Sequence, residues 1–139
     1  MREIEKRVIG AFVDGKTKAM GNTKSTRNPK TGDLNLLLHD NCIATMSNRD
    51  GVKRLWVSNA GWSSRTTQSR LNALFSLLNM PDRVYIKGGV QYLDSSRHNT
   101  INLSALRKSA VLVYERFPVN RCRDYFINSS VNQNRYNTL

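Results

Sequence analysis

The chain has 139 residues, long enough for one real core; a somewhat low 39% are hydrophobic and an ordinary 23% charged, which fits a folded domain with polar loops or tails better than wholesale disorder. Its 22 Lys and Arg against 10 Asp and Glu leave a formal charge of +12. Such a field gathers polyanions, nucleic acid first, an anionic membrane surface or an acidic protein after it. Two distant cysteines, Cys42 and Cys122, exclude a disulfide-dense secreted scaffold. The charged start, Met1 to Arg7, lacks the apolar core of a signal peptide, and no apolar run reaches the roughly eighteen residues of a membrane span. The expectation is an intracellular, soluble protein with free thiols.

In chain order, Arg7 to Val13 reads as a first, buried strand, with Asp14-Gly15 as its turn. Lys16 to Gly32 is rich in Gly, Asn, Thr, Ser and Pro and reads as a basic loop; its Lys16, Lys18, Lys24, Arg27 and Lys30 meet no acid within it. Leu34, Leu36 and Leu38 alternate as in a half-buried strand. Cys42–Met46 and Val52–Ser58 follow as strands around Asp50-Gly51, a pair suited to a tight hairpin.

Leu71, Leu74, Phe75 and Leu78 fall at i, i+3, i+4 and i+7, which predicts a helix over about 66–79. Ser64, Thr66 or Thr67 would cap it, and Pro81 would stop it. Arg83–Lys87 and Val90–Leu93 form a hairpin about Gly88-Gly89, and 94–100 is loop. Leu103, Leu106, Ala110, Val113 and Phe117 have helical spacing, with Asn102 as cap, and predict a second helix over about 103–117. Ala110–Tyr114 fits a buried strand equally well. Residues 1–127 would form one α+β domain with about five antiparallel strands, and 128–139 a polar tail.

Catalytic signals are weak. Cys42 with His98 is a conceivable dyad, but a lone cysteine without a local signature is far more often a small buried hydrophobe. His39, Cys42, His98 and Cys122 lack the close couples that zinc modules use, and the aspartates sit in turn contexts. No phosphate-cradling Gly-rich loop is present. The expectation is a protein without enzymatic activity, cofactor or metal.

Binding has more support, because basic residues interleave with aromatics. Lys53 and Arg54 neighbour Trp56, Arg65 follows Trp62, Arg83 and Lys87 flank Tyr85, and Arg121 and Arg123 precede Tyr125 and Phe126. Lysines neutralise phosphates and aromatic faces stack unpaired bases. On the Arg83 strand, Tyr85 and Lys87 would share the outward face. The plainer reading of Trp56, Trp62 and Phe126 is that each belongs to the core.

Three stretches carry a family resemblance: Gly21-Asn22-Thr23; Leu38-His39-Asp40-Asn41-Cys42-Ile43-Ala44; and Ser58-Asn59-Ala60-Gly61-Trp62 running into Arg65 through Leu74. In this order the chain resembles a family of small conserved hypothetical proteins of tailed bacteriophages and prophages, over about residues 8–93. The resemblance implies a phage context and no defined activity; 16–32 and 94–139 depart from it. The resulting expectation is a phage nucleic-acid-binding protein, single strands ahead of duplex, acting in replication or transcription in the host cytoplasm. Its contacts would be Lys16, Lys18, Lys24, Arg27, Lys30, Lys53, Arg54, Trp56, Arg65, Arg83, Tyr85 and Lys87. It would self-associate and leave membranes alone. A virion protein with basic arms, or an inhibitor of an acidic host protein, are the rival readings.

Overall fold

The chain opens on a helix where the sequence points to a strand. In the computed structural model, which describes residues 1–117, a π-helical segment (Glu5–Ile9) runs into a short α-helix, α1 (Gly10–Val13). The expected strand over Arg7–Val13 is thus corrected. Glu5, Val8, Ile9 and Phe12 are all buried, at i, i+3, i+4 and i+7, one face of a helix. A buried acid interrupts the apolar stripe and disguises it.

The segment 16–32 holds two strands, which corrects the expected loop. β1 (Lys18–Met20) and β2 (Thr23–Arg27) form an antiparallel hairpin. The inward side chains of β2, Thr23 and Ser25, are polar and buried, so each must be satisfied. Ser25 Oγ donates to the Lys16 carbonyl at 2.8 Å, and Thr23 Oγ1 accepts from Arg70 Nε at 2.9 Å.

β3 (Leu34–Leu38), β4 (Asn41–Arg49) and β5 (Val52–Val57) make the expected meander. Its second turn places Asp50 at φ 56° and Gly51 at φ 75°, the doubly left-handed geometry of a tight hairpin. The last described strand, β9 (Val111–Arg116), pairs with β5. The larger sheet therefore runs β1-β2-β3-β4-β5-β9.

Helix α2 (Arg65–Leu77) lies close to its expected span, and Ser64 is the cap: its hydroxyl accepts from the Thr67 amide at 3.1 Å. Ser64→Ala is expected to cost about 1 kcal/mol, read by thermal denaturation, because that amide loses its acceptor. Leu71, Leu74 and Phe75 are buried against the sheet and the N-terminal helical segment.

The second sheet has the order β6-β7-β8, from β6 (Arg83–Lys87), β7 (Val90–Ser95) and β8 (Asn99–Asn102). β8 replaces part of the expected loop 94–100. Asn72 ties α2 to this sheet: its Nδ2 donates to the Val84 carbonyl at 2.9 Å and its Oδ1 accepts the Val84 amide at 2.7 Å. The expected helix over 103–117 is one turn, α3 (Leu103–Leu106), capped by Asn102, whose Oδ1 accepts the Ala105 amide at 3.0 Å. Arg107 at φ 55° ends it. The β-branched Val111 and Val113 then add a strand to β5, so tertiary pairing overrides helical spacing.

The described residues thus hold nine strands in two sheets, not about five in one, and the α+β class stands. Both sheets and the helices meet in one apolar cluster that includes Leu36, Ile43, Leu55, Leu74, Phe75, Val84 and Leu93. The expected tail, 128–139, and Cys122 lie outside the described residues.

Candidate nucleic-acid interface

The structure divides the expected contact residues into separate groups. Lys16, Lys18, Arg27 and Lys30, all exposed, share one corner of the larger sheet. Lys18 pairs with Ser25, whose hydroxyl reaches the Lys16 carbonyl. Arg27 bonds the Gly15 carbonyl at 2.6 Å and the Gly32 carbonyl at 2.8 Å, drawing the turn that carries Lys30 toward the end of α1. Asp33 beside this corner is engaged by Arg49 at 2.7 Å; Asp14 adjoins it and offsets one charge.

Lys24 points to the other face of β2 and pairs with Asp40 at 3.1 Å. Arg54 is held by Glu115 at 2.6 Å, with Lys53 next to it and Trp56 half-buried on the same strand. Arg65 is exposed in the first turn of α2. Arg83, Tyr85 and Lys87 share the outward face of β6, opposite buried Val84. There Tyr85 stacks on Tyr92 with ring centroids 5.5 Å apart. Partial desolvation and the Asp94 carboxylate, 3.4 Å away, hold the Tyr85 hydroxyl above its ordinary pKa.

One feature was expected in the core and is not there. Trp62 is 63% exposed. Ala60 at φ 56° and Gly61 at φ 88° swing it outward, the left-handed region that an alanine enters only at a cost. Three hydrogen bonds hold this turn. The Ala60 amide donates to Ser58 Oγ, the Gly61 amide to Asn59 Oδ1, and the Trp62 amide to the Asn59 carbonyl, each at 2.9 Å.

Trp62 stands at the mouth of a cavity of about 300 Å³. Leu38, Ile43 and Ala60 supply its apolar walls, and His39, Asn41 and Thr66 its polar edge. His39 itself sits at φ 49° in the β3–β4 turn, followed by Asp40 at φ 63°. Among the described residues, the His39 imidazole and the Thr66 hydroxyl have no hydrogen-bond partner. Behind the cavity, buried Asn59 donates to Gln91 Oε1 at 3.1 Å, and Gln91 Nε2 donates to the Ser64 carbonyl at 3.2 Å. Gln91 is fully buried, so β7 fixes both the Trp62 turn and the start of α2.

None of these cavity residues except Trp62 drew notice as a nucleic-acid contact in sequence, and Trp62 was assigned to the core. The available signal was the two quoted stretches, Leu38–Ala44 and Ser58–Trp62, which the fold brings together around one cavity. A further buried cluster was missed outright. Arg70 and Glu5 pair at 2.8 Å, both 3% exposed. Burial pushes the Glu5 carboxyl up, but hydrogen bonds from Ser69, Arg70 and the Arg2 amide outweigh it and leave the pKa below the usual value.

Cys42, expected to be buried, is exposed. His98 Nε2 donates to the Leu112 carbonyl at 2.7 Å. No three His, Cys, Asp or Glu side chains among the described residues gather closely enough to hold a metal ion. Nor is any described helix long and apolar enough to cross a membrane.

No curated protein and no solved structure matches the chain. A family model does match, that of the Kyanoviridae Gp96 protein, over residues 1–111. The match extends beyond both ends of the stretch 8–93 that carried the earlier resemblance and takes in the β1–β2 hairpin, the Trp62 turn and both sheets up to the start of β9. By that span the chain belongs to the Kyanoviridae Gp96 protein family, a family of phage proteins.

Proposed function

We propose that this protein binds nucleic acid without catalysing a reaction on it, taking single strands ahead of duplex during phage replication or transcription. The observation that carries the reading is the corner formed by Lys16, Lys18 and Lys30, three exposed lysines with no ion pair among the described residues. A chain of net charge +12 concentrates phosphates around itself, and unpaired lysines on one corner can neutralise several together. Lys24 and Arg54 are weaker candidates, because Asp40 and Glu115 already hold them.

The test is fluorescence anisotropy with labelled single-stranded DNA, duplex DNA and RNA across a salt series. Binding is expected to weaken with a log–log slope of about −3 or steeper, the signature of several neutralised phosphates. Exchanging Lys16, Lys18 and Lys30 together for Glu is expected to reduce the slope by about 2 or more, on the same counterion-release rule. Unchanged slope and affinity in that variant would remove the corner from the interface. An absence of binding near physiological salt in the unaltered protein would end the nucleic-acid reading.

A further inference from the structure

The Trp62 cavity invites an occupant, and its chemistry is specific enough to name one. We infer that it receives a single unpaired base of a single-stranded nucleic acid, stacked against Trp62. The inference rests on the nucleic-acid reading and adds to it the part of the ligand that this site takes.

Three observations converge. First, Trp62 keeps 63% of its surface in water although the turn holding it is fixed by three hydrogen bonds donated by backbone amides. A large aromatic face held rigidly outward loses little entropy when a planar ring stacks on it, and every base presents such a face. Second, the cavity of about 300 Å³ sits at the small end of the roughly 300–1,000 Å³ typical of small-molecule pockets. It has room for one base, and no room for a secondary-structure element.

Third, the walls match the two aspects of a base. Leu38, Ile43 and Ala60 offer apolar contact, while the His39 imidazole and Thr66 hydroxyl stand at the edge without partners among the described residues. Free donors and acceptors at the rim of an apolar slot suit the heteroatoms along a base edge. Two residues held in left-handed backbone geometry, His39 and Ala60, line this cavity. Strain held in place by surrounding bonds is common where a ligand is gripped.

The experiment compares a short thymidine oligonucleotide with an abasic oligonucleotide of equal phosphate count, binding to the full chain and to the Trp62→Ala and Trp62→Phe variants. Base stacking on an aromatic residue is typically worth about five- to hundredfold in affinity. The thymidine strand is therefore expected to bind at least fivefold more tightly than the abasic strand and to quench tryptophan fluorescence. Trp62→Phe should abolish the quench, leaving Trp56 as the remaining tryptophan, and retain part of the affinity. Trp62→Ala should lower thymidine-strand affinity to the abasic level with little change in melting temperature, since Trp62 is mostly exposed. Equal, salt-sensitive binding of both strands without quenching would overturn the base pocket and leave the phosphate interface standing. Failure of both strands to bind would overturn the pocket and the nucleic-acid reading together.

Discussion

Replacing Arg70 with alanine is expected to destabilise the protein by about 3–5 kcal/mol, the cost of leaving a buried charge without its partner. Arg70 is almost inaccessible and spends its guanidinium on three partners: Thr23 Oγ1 at 2.9 Å, Glu5 Oε2 at 2.8 Å and Asn22 Oδ1 at 3.2 Å. Those partners belong to β2, the N-terminal helical segment and the β1–β2 turn, so one side chain on α2 joins three parts of the fold. Urea denaturation followed by circular dichroism measures the loss. Replacing the pair together, Glu5→Leu with Arg70→Met, is expected to recover part of it, because an apolar pair leaves no buried charge.

The same cluster sets a pH dependence. The folded-state pKa of Glu5 is depressed below that of an ordinary, unfolded-state glutamate. Its contribution to stability is therefore fully present above that unfolded-state value and is lost as the pH falls from it through the depressed folded value. In Glu5→Gln this acid-side loss should shrink, and a denaturation series across that range reads the difference.

Asn59→Ala is expected to cost about 1–3 kcal/mol, because removing one partner leaves a buried group unsatisfied. That group is Gln91 Oε1, which loses its donor at 3.1 Å; the amide of exposed Gly61 also loses its acceptor at 2.9 Å but can turn to water. Gln91 has no access to water that could substitute. The same substitution unfastens the turn that projects Trp62, so single-strand affinity should fall more than duplex affinity. Calorimetric melting and the anisotropy assay report the two effects separately. A drop in melting temperature with single-strand binding intact would show that Trp62 keeps its place without Asn59.

Much of the fold could be read directly from pattern. Leu34, Leu36 and Leu38 alternate cleanly, Asp50-Gly51 and Gly88-Gly89 mark their hairpins, and Leu71, Leu74 and Phe75 mark α2. The misreadings share a cause: polar residues in positions that pattern reading reserves for apolar ones. Glu5 hid the first helical face, and Thr23 and Ser25 hid β2, since each is buried only because a distant side chain or backbone group satisfies it. β9 is a different case, as the spacing from Leu103 to Phe117 fits a helix and Ala110–Tyr114 a strand, and the edge of β5 decides between them. Of the site, the basic corner was legible as a run of lysines. The outward Trp62 was not, because tryptophan is buried by habit and only the Ala60-Gly61 backbone reverses that.

The lysines of the basic corner also have a role in water, before any ligand arrives. β1 forms one border of the larger sheet, three residues long and fully exposed, with Lys18 in it and Lys16 just before it. A bare strand border is a template on which a second molecule can add its own strand, and short length with like charge is how proteins discourage that. Polyanion bound at this corner would cancel the repulsion between two such borders. Association through this border is therefore expected to depend on the ionic surroundings, and to be weakest while the lysine charge is unscreened.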